Sequence, residues 1–218
     1  MIGIVAFLVP MSINWHNASK VQEVIEQFND DITLVEADEK SPLDMLLEAS
    51  LQYNEALFSG GEQRIKDIFE FTGESIDLRE YGFENNMFGY INIPKINITL
   101  GIYLGASIDN MNMGAVHLDQ TSLPIGGQST NAVIAGHRGN GRYGDMFRNI
   151  QKLDYDDYVY ITNPWEQLTY KVVDIFTIDP KDIDKILVQE GKDMITLVSC
   201  HPYGSSKYRY IIYCERVY

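Results

Sequence analysis

Thr196-Leu197-Val198-Ser199-Cys200-His201-Pro202-Tyr203-Gly204-Ser205-Ser206-Lys207-Tyr208-Arg209 is the stretch on which the reading of this chain turns. Ile195 to Val198 is apolar and largely β-branched, which predicts a buried strand ending near Cys200. Pro202 and Gly204 then break the pattern and turn the chain, and Tyr208 to Val217 predicts the returning strand with Arg209 at its start. A thiol facing a guanidinium across such a loop is a candidate nucleophile, because a fixed positive charge favours the reactive thiolate. From residue types alone, a buried thiol acting as a small hydrophobe fits the same position.

The second cysteine, Cys214, lies five positions beyond Arg209, an odd spacing that places the two side chains on opposite faces of a strand. If Arg209 shares a face with Cys200, Cys214 points away and a disulfide is excluded. Cys214 is therefore read as a packed thiol and Cys200 as free. The remaining composition sets limits. Its 218 residues suit one domain with room for an N-terminal element, and 45% hydrophobic residues supply a core. A net charge of −14 repels phosphates and argues against a nucleic-acid partner. The acidic residues show no metal-ligand spacing, and nothing in the sequence calls for a cofactor.

Upstream, Met1 to Val9 is apolar but shorter than the roughly 20 residues that span a bilayer. It reads either as the end of a transmembrane helix, with Trp15 at the interface, or as a buried strand or helix. Val21, Val24, Ile25 and Phe28 predict an amphipathic helix over residues 17–29. A second helix starts with Ser41 as N-cap, Pro42 at the first position and Asp44 completing a capping-box-like pattern; Leu43, Leu46, Leu47, Leu51, Leu57 and Phe58 form its apolar face, and Gly60-Gly61 ends it. A further helix is expected over residues 62–71 and a linker over 72–86. After residue 87 strands dominate, at 88–93, 96–104, 131–135, 157–162, 168–178, 194–200 and 208–217. Ser107 caps a short helix that stops at Gly114, and short helices fill 144–152 and 181–188. Barrel and sandwich both fit this pattern.

Four histidines remain to be sorted. His16 lies in the membrane-proximal segment, His201 should point to the strand face opposite Cys200, and His117 sits in Gly114-Ala115-Val116-His117-Leu118. His137 ends another apolar strand, in Ala132-Val133-Ile134-Ala135-Gly136-His137-Arg138-Gly139. By itself it fits a hydrogen-bonded structural group as well as a general acid.

Thr196-Leu197-Val198-Ser199-Cys200 with Arg209 resembles the active-site strand and loop of the sortases, whose signature is Thr-Leu-x-Thr-Cys followed by Arg; Ser199 replaces the usual Thr. His137-Arg138-Gly139, the Cys-x-Pro-Tyr continuation and the spacing to Arg209 are most similar to class C, the pilin-polymerising sortases. Tyr53 to Leu57, Gly89 to Ile96, Ile102 to Gly105 and Thr121 to Gly127 resemble further segments of that class in the same order, so the likeness runs from about residue 41 to the C-terminus.

The resemblance implies a mainly β fold, an eight-stranded sortase barrel over 87–218 with short helical insertions. Residues 17–86 would be a helical N-terminal extension, and 1–16 the remnant of a membrane anchor. It implies a cysteine transpeptidase on the extracellular face of a Gram-positive cell membrane, with Cys200 as nucleophile, His137 as general acid and Arg209 as oxyanion or substrate-backbone clamp. The substrate would be a pilin or surface protein ending in a Leu-Pro-x-Thr-Gly-type sorting motif, and the acceptor a pilin lysine or a peptidoglycan cross-bridge amine. Wall anchoring and a non-catalytic pilus-assembly or surface-binding module are the alternatives. Ile98, Leu123, Val133 and Ile211 are candidates for the Leu-Pro groove, and Tyr143 with residues 140–142 for the acceptor side. The class C lid motif, Asp-Pro followed by an aromatic residue, is missing from residues 60–86, which contain no proline. Either the lid is remodelled there, with Glu70-Phe71 or Tyr81 to Phe83 covering the site, or the cleft is open.

Overall fold

The structure, a computed structural model, describes residues 19, 21–23, 25–30, 32–33, 42–60, 75–139 and 145–218. Eight strands close into a barrel: β1 (Met87–Ile93), β2 (Ile98–Leu104), β3 (Ala115–His117), β4 (Thr130–Ala135), β5 (Tyr158–Thr162), β6 (Gln167–Ile178), β7 (Asp193–His201) and β8 (Tyr208–Arg216). Their order around the barrel is β1-β2-β3-β4-β7-β8-β6-β5, closed by pairing of β1 with β5. β2–β3 and β4–β7 are parallel and the other pairs antiparallel.

The period-2 alternation of apolar residues assigns the two faces of each strand. Ile91, Ile102, Ile134, Ile161, Tyr170, Leu197, Ile212 and Cys214 fill one cluster, which is the barrel interior. The intervening residues Leu104, Val116, Val133, Val198 and Ile211 join a second cluster with the N-terminal helices. At the β1–β5 seam a Cβ on Gly89 would stand 2.1 Å from the Thr162 carbonyl oxygen, so only glycine lets the strands approach there.

Helical backbone at residues 21–23, 25–30 and 32–33 runs beyond the predicted end at Asn29, with Ile25 and Phe28 buried. Helix α1 (Pro42–Ser59) starts at Pro42 as expected, but its buried stripe differs. Leu43, Leu46, Ser50 and Asn54 face the barrel, whereas Leu51 and Phe58 are exposed. The reason is a polar anchor. Asn54 accepts a hydrogen bond from Leu123 N (2.7 Å) and donates to Leu123 O (3.2 Å), and those two bonds set the helix's rotation. Part of the expected linker is packed structure: Asp77 caps a 3₁₀ turn over Leu78–Tyr81, and Leu78 and Phe83 are buried. Phe83 lies 6.1 Å, centroid to centroid, from Phe28.

Ser107 caps α2 (Ile108–Met113) through Asn110 N, and Gly114 ends it, as the sequence predicts. The insertions expected at 144–152 and 181–188 are 3₁₀ turns over Phe147–Lys152 and Ile183–Ile186. β3 was not anticipated; it is three residues long and buried on both faces. The membrane-proximal segment, the N-cap at Ser41, the helix predicted for 62–71 and the loop 140–143 lie outside the described residues. Among the described residues no helix is long and apolar enough to cross a membrane.

Candidate active site

The site is assembled by three neighbouring strands, β4, β7 and β8. Across the β7–β8 pair Cys200 stands directly opposite Arg209, and opposed residues of an antiparallel pair project from the same face. Val198 and Ile211, the next pair inward, lie on the helix-covered outer side, which fixes that face for Cys200 and Arg209 as well. On the other flank β4 runs parallel to β7 with Ala135 opposite Val198. The ladder continues one residue past the strand end, because Gly136 N donates to Val198 O at 3.1 Å. That register brings Gly136, and the chain leading into His137, alongside the end of β7 just before Cys200. Cys200 and Arg209 thus lie on adjacent strands spaced about 5 Å apart, and His137 follows the end of β4, the next strand over.

Local bonds hold this edge. The Ser199 hydroxyl, fully buried, donates to Gly136 O at 2.8 Å and clips the residue before Cys200 to the residue before His137. His137 O accepts from Phe147 N at 2.9 Å. A Cβ on Gly136 would stand 2.8 Å from the Phe147 ring, so glycine lets the loop lie down on that buried aromatic. Arg209 is 6% exposed and donates through Nη1 to Ser206 O (2.7 Å) and Tyr208 O (3.3 Å), which ties the β7–β8 turn to the guanidinium.

The electrostatics separate the histidines. His137 is half-buried, and desolvation lowers its pKa from the usual imidazole value. His117 is fully buried and held near 4 by the same cause. Its Nε2 lies 3.1 Å from Thr121 O and 2.9 Å from Ser122 O, both acceptors, so the ring proton is on Nε2. Nδ1 then accepts from Ser75 Oγ at 3.2 Å. This histidine is a pin for the loop before β4.

His201 faces away from Cys200 as expected: Arg138 Nη1 reaches its Nδ1 at 3.1 Å, and its ring stacks on Tyr210 with centroids 5.5 Å apart. Both cysteines are free; Cys214 is fully buried, and burial pushes its thiol upward, while Cys200 is partly exposed. Of the four groove candidates, Leu123, Val133 and Ile211 belong to the outer cluster. Ile98 belongs to the barrel interior instead, separated from them by the sheet. Among the described residues no group of three His, Cys, Asp or Glu could hold a metal ion.

Sequence reasoning gave Arg138 no role beyond its place in a motif, yet it lies directly behind the strand end. It donates to Cys200 O at 2.9 Å, to His201 Nδ1 and to Gln151 Oε1. Only its position immediately after His137 pointed to it.

Comparison with known proteins places this geometry. Residues 91–217 match the Sortase domain model. The chain is 30% identical over 132 residues to Sortase D of Bacillus subtilis (strain 168), covering 59% of this chain and 63% of that one. The chain therefore spans just under two thirds of the length of that curated relative. Among solved structures, Streptococcus agalactiae sortase C1 is similar with a TM-score of 0.79 and 28% identity, over 90% of this chain and 97% of the other. Clostridium perfringens sortase C, solved with the C-terminal cell wall sorting motif, gives 0.75 and 31% identity over 90% and 98%. With more than half of its length in the domain model and the closed eight-stranded barrel of these neighbours, the chain belongs to the sortase family of cysteine transpeptidases.

Proposed function

We propose that this protein cleaves a Leu-Pro-x-Thr-Gly-type sorting motif between Thr and Gly and joins the new carboxyl end to a pilin lysine, building covalent pili. The observation that supports the reading is the Cys200–Arg209 pair across β7 and β8, with the β4–β7 register bringing the chain before His137 alongside. The likeness to class C sortases, one of them solved with a sorting motif, supports the substrate class.

The chemistry follows from the residue types. The Cys200 thiolate attacks the Thr carbonyl carbon, forming a C–S bond, and the oxyanion is met by the permanently charged Arg209 fork. Protonated His137 gives its proton to the Gly nitrogen as the C–N bond breaks, leaving a thioester and a free amine. The incoming lysine amine then attacks the thioester, loses a proton to His137 and expels the Cys200 thiolate. Residues 87–218 would be the catalytic unit and 17–86 an extension packed on it. The preceding 16 residues would anchor it at the outer face of a Gram-positive membrane.

Incubating wild type with a sorting-motif pilin should give ladders on a denaturing gel that Cys200→Ala abolishes. A second reading is wall anchoring, since the curated chains that this protein resembles are named Sortase D and Sortase A, names that specify no pilin acceptor. Peptide cleavage and transfer to a cross-bridge amine without pilin ladders would select it. Absence of any thioester would refute both.

A further inference from the structure

Arg138 is 8% exposed and its guanidinium is enclosed by neutral groups. Nη1 donates to Cys200 O at 2.9 Å and to His201 Nδ1 at 3.1 Å, and Nη2 donates to Gln151 Oε1. The Tyr210 ring lies 5.6 Å from its Cζ. Among the described residues no carboxylate pairs with it. A buried cation without a counter-acid is costly, so its hydrogen bonds to these neutral acceptors are what hold it there. Tyr210 stands opposite Ser199 and packs against the barrel interior, so Arg138 reaches Cys200 from behind the sheet, on the side away from Arg209. Burial pulls the guanidinium below its ordinary value, while the neighbouring Tyr210 and Cys200, in their ionised forms, push it back up. Burial pushes the Tyr210 phenol up and keeps it neutral, so of these two the group able to answer the charge during turnover is the Cys200 thiolate.

We propose that Arg138 is a positioning residue for the reaction at Cys200, fixing the nucleophile's own carbonyl and the His201 ring in one planar fork and lending a second positive charge behind the sulfur. The inference rests on the reading of Cys200 as nucleophile. The fork geometry explains why the side chain is arginine: two terminal nitrogens reach three acceptors on β7 and on the 3₁₀ turn after His137, which a lysine ammonium meets only in part. It also couples the ends of β4 and β7, because Arg138 follows His137 directly while its bonds end on Cys200 and His201.

The test compares Arg138→Met, Arg138→Lys and Gln151→Met in cleavage of a fluorogenic sorting-motif peptide and in iodoacetamide alkylation of Cys200 across pH. For Arg138→Met, kcat should fall about 10- to 100-fold with KM within about threefold, the size expected when reacting groups are slightly misplaced. Alkylation at neutral pH should slow, with its profile moved to higher pH. Arg138→Lys should restore the alkylation profile and recover only part of kcat. If Arg138→Met fails to fold, Gln151→Met, which removes only the Nη2 acceptor, should lower kcat about threefold in the same direction. Folded Arg138→Met with kcat and alkylation profile within twofold of wild type overturns the proposal, as does an unchanged kcat in Gln151→Met. A Cys200→Ala variant that still cleaves peptide sinks the nucleophile reading itself; inactive Cys200→Ala beside wild-type-like Arg138→Met sinks only this inference.

Discussion

Ser199→Ala removes one oxygen and should affect both stability and chemistry. The hydroxyl is fully buried and donates 2.8 Å to Gly136 O. Deleting a buried donor while leaving its acceptor costs about 1–3 kcal/mol, and the small void adds little. Because Ser199 precedes Cys200 and Gly136 precedes His137, the same bond sets the spacing of the two candidate reacting groups. Misplacement by a fraction of an ångström to 1 Å lowers rates by up to about 100-fold. The expected outcome is a lowered urea midpoint at unchanged slope, corresponding to about 1–3 kcal/mol, and a kcat that falls more than KM rises. Ser199→Thr, the residue usual in the resembling motif, keeps the donor and adds one methyl, so it should stay within about 1.5 kcal/mol of wild type. Equilibrium unfolding followed by far-UV circular dichroism and a fluorogenic peptide assay give the two readouts. A Ser199→Ala protein with unaltered midpoint and wild-type kcat would refute the claim that this bond clips β4 to β7.

Three further outcomes are expected. Asn54→Ala should destabilise by about 2–4 kcal/mol in urea titration, since both Leu123 main-chain groups lose a partner, whereas exposed Leu51→Ala should change stability by less than about 0.5 kcal/mol. His117 is held near 4 when folded, against about 6.5 unfolded, so its contribution is complete above pH 6.5 and is lost as pH falls toward 4. Urea midpoints should show a loss of about 3 kcal/mol across that window, and His117→Gln should remove that part of the slope. Native protein should take up iodoacetamide at Cys200 while Cys214 reacts only after unfolding, because Cys214 is fully buried and its thiol is pushed upward; a rapid second label by intact mass would contradict the packing of β8.

What could be read from the chain depended on how local the cause was. Runs such as Ile195 to Val198 carry their own strand signal, and the cap at Ser107 with the stop at Gly114 marks a helix within eight residues. The parity argument separating Cys200 from Cys214 needed only strand geometry, and the two cysteines do lie on opposite faces. Three-residue β3 carried no such signal; it exists because β2 and β4 flank it. The inward face of α1 was misread for a related reason. Leu51 and Phe58 are apolar, but Asn54 has a main-chain partner 69 residues away, and that bond decides the rotation. Which way Ile98 faces was not legible, because it follows from the register with Ile93. Arg138 was silent because its value depends on which atoms of β7 end beside it.

The way the strands are connected also makes the parts of the candidate site unequal in closure cost. Cys200 and Arg209 meet within a single hairpin, a local contact whose loop-closure entropy is small. His137 follows β4, which meets β7 only through a parallel pairing that spans β5 and β6 in sequence, so its closure costs more. A chain in which β4 had separated from β7 would therefore keep sulfur and guanidinium together without the imidazole. On the proposed mechanism such a chain would keep the thiol and lose the proton donor for the leaving amine, so the β4–β7 seam is the joint whose opening would disarm the site.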